Sequence, residues 1–191
     1  MAEPAQRRYT LQEFDEFEAA AGEDVHYELF DGWLVAMSNP TVTHEQIAGN
    51  IGAPLKIAMN KRGCRSYQGG IAVRPPDGSS SKFRPDVVVH CGKSNPADTV
   101  LTDPIVVVEV LSPGTIDHDR TGKLAVYKAF PSLRDIVLAY SDSMRVEHYR
   151  RASAAEEWSQ VEALVNPDDK LVISSVDFEI ELDEVYFDLP F

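Results

Sequence analysis

Segment 105–111 has the sequence IVVVEVL and constrains the fold more than any other part of the chain. All its residues except the acid are aliphatic, which predicts a strand that is buried on both faces of a sheet. An ionised carboxylate in such a strand costs several kcal/mol unless another charge or a metal ion compensates it. Glu109 is therefore a candidate functional residue.

A second acid precedes another apolar strand, because Asp86 is followed by three valines. Asp86 and Glu109 are 23 residues apart, so two neighbouring strands can bring both carboxylates to one point at the sheet edge. Hard divalent ions such as Mg²⁺ bind carboxylate oxygens, backbone carbonyls and water. We therefore predict a metal site formed by Asp86, Glu109 and the backbone carbonyl of Val110. Lys123, on a predicted helix 14 residues after Glu109, could stabilise charge at a reacting phosphate.

The charge of the chain is unevenly distributed, although the total of −13 argues against a nucleic-acid partner. Residues 1–31 carry a net charge of −7 and residues 156–191 carry −10. Residues 40–91 hold seven basic and three acidic side chains. The stretch leading into Asp86 is thus locally basic and leaves room for a phosphate-binding surface.

Length and apolar content predict the setting of the protein. With 191 residues, the chain has the size of one ordinary domain. Its N-terminus is polar, and no apolar run approaches the roughly 20 residues of a membrane span. Cys64 and Cys91 are too few and too isolated for a disulfide framework or a cysteine zinc site. We therefore predict a reducing, cytoplasmic location and no contact with membranes.

The periodicities predict an α/β fold with a mixed sheet. Thr10 and Glu13 form a capping box for a first helix, Asp31 and Gly32 form a hairpin turn, and Thr43 is the expected cap of the second helix. The predicted helices are 10–20, 44–61 (with a kink at Pro54) and 117–130. The predicted strands are the hairpin 27–37, then 65–74, 85–90, 105–111, 135–140, 146–149, 158–164 and 176–182.

Several of these segments together resemble one known family. They are YELFDG at 27–32, Met37 with the Asn-Pro that follows, His44, RPDVVV at 84–89, VVEVLSPGT at 107–115, Asp119-Arg120, Lys123 and Tyr127. In order and spacing they are similar to the Uma2 family (DUF820), a branch of the PD-(D/E)xK nuclease superfamily. The resemblance implies a restriction-endonuclease-like core at about 27–149 within a single domain 1–191, with additional antiparallel strands at both ends.

The resemblance also implies site residues and an activity. The superfamily's two metal-binding acids correspond to Asp86 and Glu109, and its lysine corresponds to Lys123. Leu111 stands where many members carry that lysine, so the role moves to the following helix. The implied activity is Mg²⁺- or Mn²⁺-dependent hydrolysis of DNA phosphodiester bonds, performed by a homodimer.

Other side chains have competing interpretations. Glu28 could reach the site or stay at the surface, His44 could act in catalysis or only hydrogen-bond at a helix start, and Tyr127 could orient Lys123 or simply pack. The acids Asp117 and Asp119 could bind metal or only favour a helix N-terminus.

The metal site and the activity have alternatives as well. Asp86 and Glu109 could form a structural salt-bridged group, with Arg84 as a partner. The whole protein could be a non-catalytic nuclease-fold module that binds protein or nucleic acid. The sequence has no Gly-x-Ser-x-Gly elbow, glycine-rich phosphate loop or second histidine after His44-Glu45, which disfavours other hydrolases.

Overall fold

The computed structural model describes residues 7–21, 27–37, 39–113 and 118–191. Its helices are α1 (Leu11–Ala21), α2 (Val42–Asn60), a π-helical turn (His118–Lys123), α3 (Leu124–Ala129), a 3₁₀ turn (Ser174–Val176) and α4 (Leu182–Val185). Its strands are β1 (Tyr27–Phe30), β2 (Trp33–Ala36), β3 (Arg65–Gln68), β4 (Ala72–Val73), β5 (Val87–His90), β6 (Val100–Leu101), β7 (Val106–Leu111), β8 (Asp135–Tyr140), β9 (Val146–Arg150), β10 (Glu162–Leu164), β11 (Lys170–Ile173) and β12 (Phe178–Glu181).

A six-stranded mixed sheet with the order β10-β9-β8-β7-β5-β3 forms the centre of the fold. β7 and β8 are parallel, and the other neighbours in this sheet are antiparallel. Antiparallel pairs β1-β2 and β11-β12 flank it towards the two ends of the chain. This architecture confirms the predicted α/β fold with a mixed sheet, flanking helices and additional antiparallel strands.

The central strands are buried on both faces, as the valine run predicts. Every residue of β5, β7 and β8 is buried. One face packs on α2 and the C-terminal hairpin through residues such as Ile51 and Ile180. The other face packs on α3 through residues such as Tyr127 and Phe130. A carboxylate on β7 is therefore held at the contact between the sheet and a helix layer.

The predicted start of α2 is wrong by two residues. Thr41, and not Thr43, is the N-cap, and its hydroxyl accepts a hydrogen bond from the backbone N–H of His44 at 3.2 Å. An N-cap side chain binds an N–H two or three positions later, which Thr41 satisfies with His44. The capping box of α1 and the Asp31-Gly32 turn are confirmed, with Thr10 and Glu13 bonded reciprocally and both turn residues at positive φ.

Several predicted segments are shorter or divided in the structure. The predicted strand 65–74 breaks after β3, because Gly69 and Gly70 adopt φ of +59° and +78°. The predicted helix 117–130 contains the π-helical turn before α3, and residue 117 lies outside the described part of the chain. Of segments 158–164 and 176–182 only β10 and β12 are extended, and β11 was not predicted.

The two cysteines, predicted to be too few and too isolated for a disulfide framework, do form one disulfide. β3 and β5 pair antiparallel with Arg65 opposite His90. Continuing this register by one residue places Cys64 opposite Cys91, and a disulfide joins them. Strand pairing thus brings together cysteines that are 27 residues apart in the sequence.

In the described ranges, no helix combines the length and the apolar character that crossing a bilayer requires. The cytoplasmic location stays a prediction.

Candidate active site

The pairing of β5 with β7 brings the two predicted metal ligands together. Val87 lies opposite Val108 in this antiparallel pair. Continuing the register by one residue places Asp86 opposite Glu109. Both acids line a cleft of about 350 Å³ at this end of the two strands.

Pro85 explains how Asp86 reaches β7. Continuing the register by a second residue places Pro85 opposite Val110. A proline has no N–H to donate, so the ladder of hydrogen bonds ends there. The Asp86 carboxylate takes over and accepts the Val110 N–H through Oδ2 at 2.6 Å. Sequence reasoning gave Pro85 no role, although a proline at the start of a buried strand signals this arrangement.

The Val110 carbonyl is directed to the same side as its N–H. The neighbouring carbonyl of Leu111 accepts a hydrogen bond from Ser141 at 3.0 Å, on the β8 side of the strand. Because successive residues of a strand alternate their hydrogen-bonding direction, the Val110 carbonyl points towards β5. The residue opposite is Pro85, which cannot donate to it. This geometry suits the predicted backbone ligand.

Glu109 is held by two side chains from the segment 118–129. It is 4% exposed, and its Oε1 accepts a hydrogen bond from the Tyr127 hydroxyl at 2.5 Å. The Lys123 ammonium lies 3.4 Å from the same oxygen. The π-helical turn ends at Lys123 and α3 carries Tyr127, so both residues project onto one carboxylate. Such π-helical turns recur at functional sites.

Glu28 also belongs to the group of contacting side chains formed by Glu109, Lys123 and Tyr127. Its Oε2 lies 2.7 Å from the Lys123 ammonium, and its Oε1 accepts the backbone N–H of Arg84 at 2.8 Å. The carboxylate of Glu28 is almost fully buried. Of the two interpretations of Glu28, the structure therefore supports the one that places it at the site.

His44 lies beside Asp86 from the α2 side. Its Nε2 is 3.4 Å from Asp86 Oδ2, and its side chain is 14% exposed. Burial lowers the pKa of His44, but the hydrogen bond and charge of Asp86, helped by Glu45, outweigh burial and raise it above its ordinary value. His44 is thus at the site as well as at a helix start.

Arg84 is not the salt-bridge partner that the structural alternative requires. Its guanidinium binds Glu18 at 2.8 Å and the Gly70 carbonyl at 2.5 Å. Asp117 lies outside the described residues, as does the side chain of Asp119. The alternative with an Arg84–Asp86 or Arg84–Glu109 pair is therefore not what the fold builds.

The charges of the cleft do not cancel. Glu28, Asp86 and Glu109 bring three carboxylates, and Lys123 brings one ammonium group. The other charged residues that line the cleft, Glu45 and Arg84, have opposite signs. Summed over the described residues that line the cleft, the formal charge is about −2, or −1 when His44 is protonated. A divalent cation would neutralise it.

The donor set fits a hard ion that keeps its waters. In the described ranges, no three His, Cys, Asp or Glu side chains cluster closely enough to hold a metal by themselves. Mg²⁺ is commonly bound through only one or two carboxylates and several waters. Asp86, Glu109 and the Val110 carbonyl therefore suit Mg²⁺ or Mn²⁺, and they do not suit Zn²⁺, which prefers nitrogen and sulfur.

Comparisons with known proteins identify the family of the chain. Residues 11–184 match the model of the Uma2 family, described as "Putative restriction endonuclease". Two uncharacterized proteins of Synechocystis are similar to the chain. The protein slr1290 is 27% identical over 166 residues, which are 86% of this chain and 85% of that protein. The protein sll1609 is 24% identical over 127 residues, which are 65% and 71% of the two chains.

A solved structure shares the fold. It is the crystal structure of a "putative nuclease belonging to DUF820" from Anabaena variabilis, with a TM-score of 0.75. The match covers 93% of this chain and 97% of that one at 17% sequence identity. The likeness shows the common fold.

Proposed function

The chain belongs to the Uma2 family, and we propose that it is a Mg²⁺- or Mn²⁺-dependent endonuclease that hydrolyses DNA phosphodiester bonds. The observation that carries this proposal is the excess of carboxylates over cations among the described residues of the cleft. Glu28 and Glu109 share Lys123, and Asp86 lies opposite Glu109, which is an arrangement that a divalent cation would favour.

Asp86, Glu109 and the Val110 carbonyl would hold the ion. When bound, such an ion lowers the pKa of a bound water and neutralises charge on a phosphate. Tyr127 orients Glu109 through its 2.5 Å hydrogen bond. Val110 N–H orients Asp86 in the same way.

Lys123 supplies a positive charge beside the ligands. Its ammonium group lies between Glu28 and Glu109, at 2.7 and 3.4 Å, and is almost fully buried. A fixed ammonium group in a dry site stabilises the negative charge that develops on an attacked phosphate or on the attacking hydroxide. Glu28 is the positioning residue that keeps Lys123 at this point.

A non-catalytic nuclease-fold module is the alternative, and the net charge of −13 favours it because DNA affinity depends on neutralising phosphates. Cleavage distinguishes the two functions. Supercoiled plasmid is incubated with wild type and with D86A or E109A, with Mg²⁺, with Mn²⁺ and with EDTA. We expect nicked or linear DNA only from wild type with metal.

E179Q is the matched control, since Glu179 is an exposed acid on β12 away from the cleft. It should cleave like wild type. Cleavage that survives both D86A and E109A would refute the assigned site, and a wild type that is inactive with every metal would favour the binding module.

We also propose that two copies act together, because cutting both strands of a duplex takes two such sites. Light scattering of the purified protein, alone and with a duplex oligonucleotide, tests this. A mass of one chain under both conditions would contradict it.

A further inference from the structure

A second buried glutamate lies in the same row of the sheet as Glu109. Glu109 pairs with Leu138 across β7 and β8, and Leu138 pairs with Glu147 across β8 and β9. Glu109 and Glu147 therefore point to the same face of the sheet, two strand spacings apart. At about 4.8 Å for each spacing the separation is roughly 10 Å.

Four donors surround the Glu147 carboxylate, which is 0% exposed. Arg145 at 2.8 Å and the Tyr140 hydroxyl at 2.9 Å bind Oε1. Arg120 and the Tyr149 hydroxyl, both at 3.2 Å, bind Oε2. An ionised carboxylate has about four acceptor positions, so these donors fill it. Glu147 is therefore fully compensated by its neighbours.

The two arginines extend from this buried anchor to the surface. Their side chains are 49% and 39% exposed, whereas Glu147 is fully enclosed. Arg120 contacts Glu147 through Nε, so its two terminal nitrogens are not used in this bond. Arg145 is also stacked over the Tyr140 ring, 5.2 Å from its centroid. Both cations are therefore fixed in position while part of each guanidinium is open to solvent.

This pair lies beside the cleft. Arg120 belongs to the π-helical turn that ends at Lys123. Tyr140, which binds Glu147, pairs with Leu111, and Ser112 directly after Leu111 lines the cleft. The arginines and the acids therefore share the edge of the sheet where the parallel strands β7 and β8 end.

The charge of the pair is opposite to that of the cleft. Two guanidinium groups and one carboxylate leave a net charge of about +1 on a chain whose total is −13. Among the described side chains, the acid of the β8–β9 turn, Asp142, accepts a hydrogen bond from Ser143 at 3.1 Å. Fixed guanidinium groups bind phosphate well because little side-chain entropy remains to be lost.

We propose that Arg120 and Arg145, held by Glu147, form a phosphate-binding surface for the nucleic-acid backbone that flanks the cleavage site. The inference rests on the proposed function, since it takes the cleft to be the place of cleavage. The two buried glutamates lie about 10 Å apart in the sheet. The arginines thus contact phosphates close to the attacked bond, where their positive charge offsets the overall acidity of the chain.

Binding without cleavage tests the proposal. A fluorescent duplex oligonucleotide is titrated in EDTA with wild type, R120Q and R145Q at several salt concentrations. We expect each substitution to weaken binding about tenfold at low salt and to reduce the slope of log K against log salt by about 1. R120K keeps the charge and should keep the slope.

R150Q is the matched control, because Arg150 is 50% exposed and lies on β9, but pairs with Glu162 and not with Glu147. It should bind as wild type does. Each single variant leaves three donors on Glu147, and thermal melting verifies that each is folded. Binding by R120Q and R145Q equal to that by R150Q would overturn the proposal, as would a wild type that binds no DNA. If wild type binds DNA but never cleaves it, the proposed function fails while this surface stands.

Discussion

Glu109 and Glu147 are two buried glutamates in one row of the same sheet face, with opposite surroundings. The Glu147 carboxylate receives four hydrogen bonds, two of them from arginines. Glu109 shares one lysine with Glu28 and lies opposite Asp86. The donors around Glu147 fill all its acceptor positions. Among the described residues around Glu109, carboxylates outnumber cations.

The comparison shows that burial of an acid does not by itself indicate a function. What distinguishes the cleft is the excess of carboxylates over cations among its described residues. A saturated carboxylate stabilises the fold and fixes its partners, whereas an excess of carboxylates destabilises the fold until a cation binds. Replacing each glutamate by glutamine should therefore have different consequences for activity, stability and metal binding.

The largest expected difference is in DNA cleavage. E109Q removes a metal ligand and should lower the cleavage rate by at least about 100-fold, or roughly 2.7 kcal/mol. E147Q leaves the cleft intact and should retain the rate to within about tenfold. Plasmid nicking measured under identical conditions checks both. Equal losses in the two variants would remove the distinction between the two acids.

Thermal stability in EDTA should show the reverse order. E147Q turns an amide N–H₂ towards two of the four donors, which should cost about 2 kcal/mol and lower Tm by about 4–8 °C. E109Q removes one of three clustered negative charges while Lys123 keeps Glu28. Its Tm in EDTA should equal or exceed that of wild type. A fall as large as that of E147Q would contradict the account.

The dependence of stability on pH should reflect the lowered pKa of Glu147. Burial alone raises the pKa of Glu147, but hydrogen bonds from Arg145, Arg120 and Tyr140 together lower it below the ordinary value of 4.5. A lowered pKa means that the folded state binds the proton less readily, so this stabilisation is full above pH 4.5 and is lost as the pH falls further.

Urea unfolding of wild type and E147Q between pH 7 and pH 3 measures this contribution. The difference in unfolding free energy should stay constant down to about pH 4.5 and then shrink. A difference that grows in acid would mean that the pKa is shifted upwards.

The smallest of the predicted effects is expected from a substitution of Tyr127. Y127F removes the hydroxyl that binds Glu109 Oε1 but keeps the buried ring. The lost hydrogen bond should cost about 1 kcal/mol of transition-state stabilisation, which is about a fivefold lower rate. Unchanged activity would assign Tyr127 to packing alone.

The sequence predicts Glu109 and does not predict Glu147 for a physical reason. An acid inside an aliphatic run contradicts its surroundings, so it is visible without any structure. Glu147 lies in VEHYR, where polar neighbours such as His148 and Arg150 make a buried acid inconspicuous, and two of its four partners, Arg120 and Tyr140, come from other segments of the chain. Local pattern identifies the strand but not its partners.

Other contacts could not be predicted from the sequence either, because they depend on how distant segments pair. The Cys64–Cys91 disulfide and the contact of Glu28 with Lys123 both follow from strand and helix positions that no local spacing specifies. Asp86, Glu109 and Lys123 were predicted together, and the structure brings them to one cleft. Their catalytic roles and the single domain 1–191 stay predictions.

Binding of Mn²⁺ tests the central claim, that the carboxylate-rich cleft is a divalent-cation site. Free Mn²⁺ is measured by electron paramagnetic resonance as wild type, E109Q and E147Q are added. We predict that wild type and E147Q bind the ion with similar affinity and that E109Q loses this binding. Equal binding by E109Q and wild type, or no binding by wild type at millimolar Mn²⁺, would contradict the account.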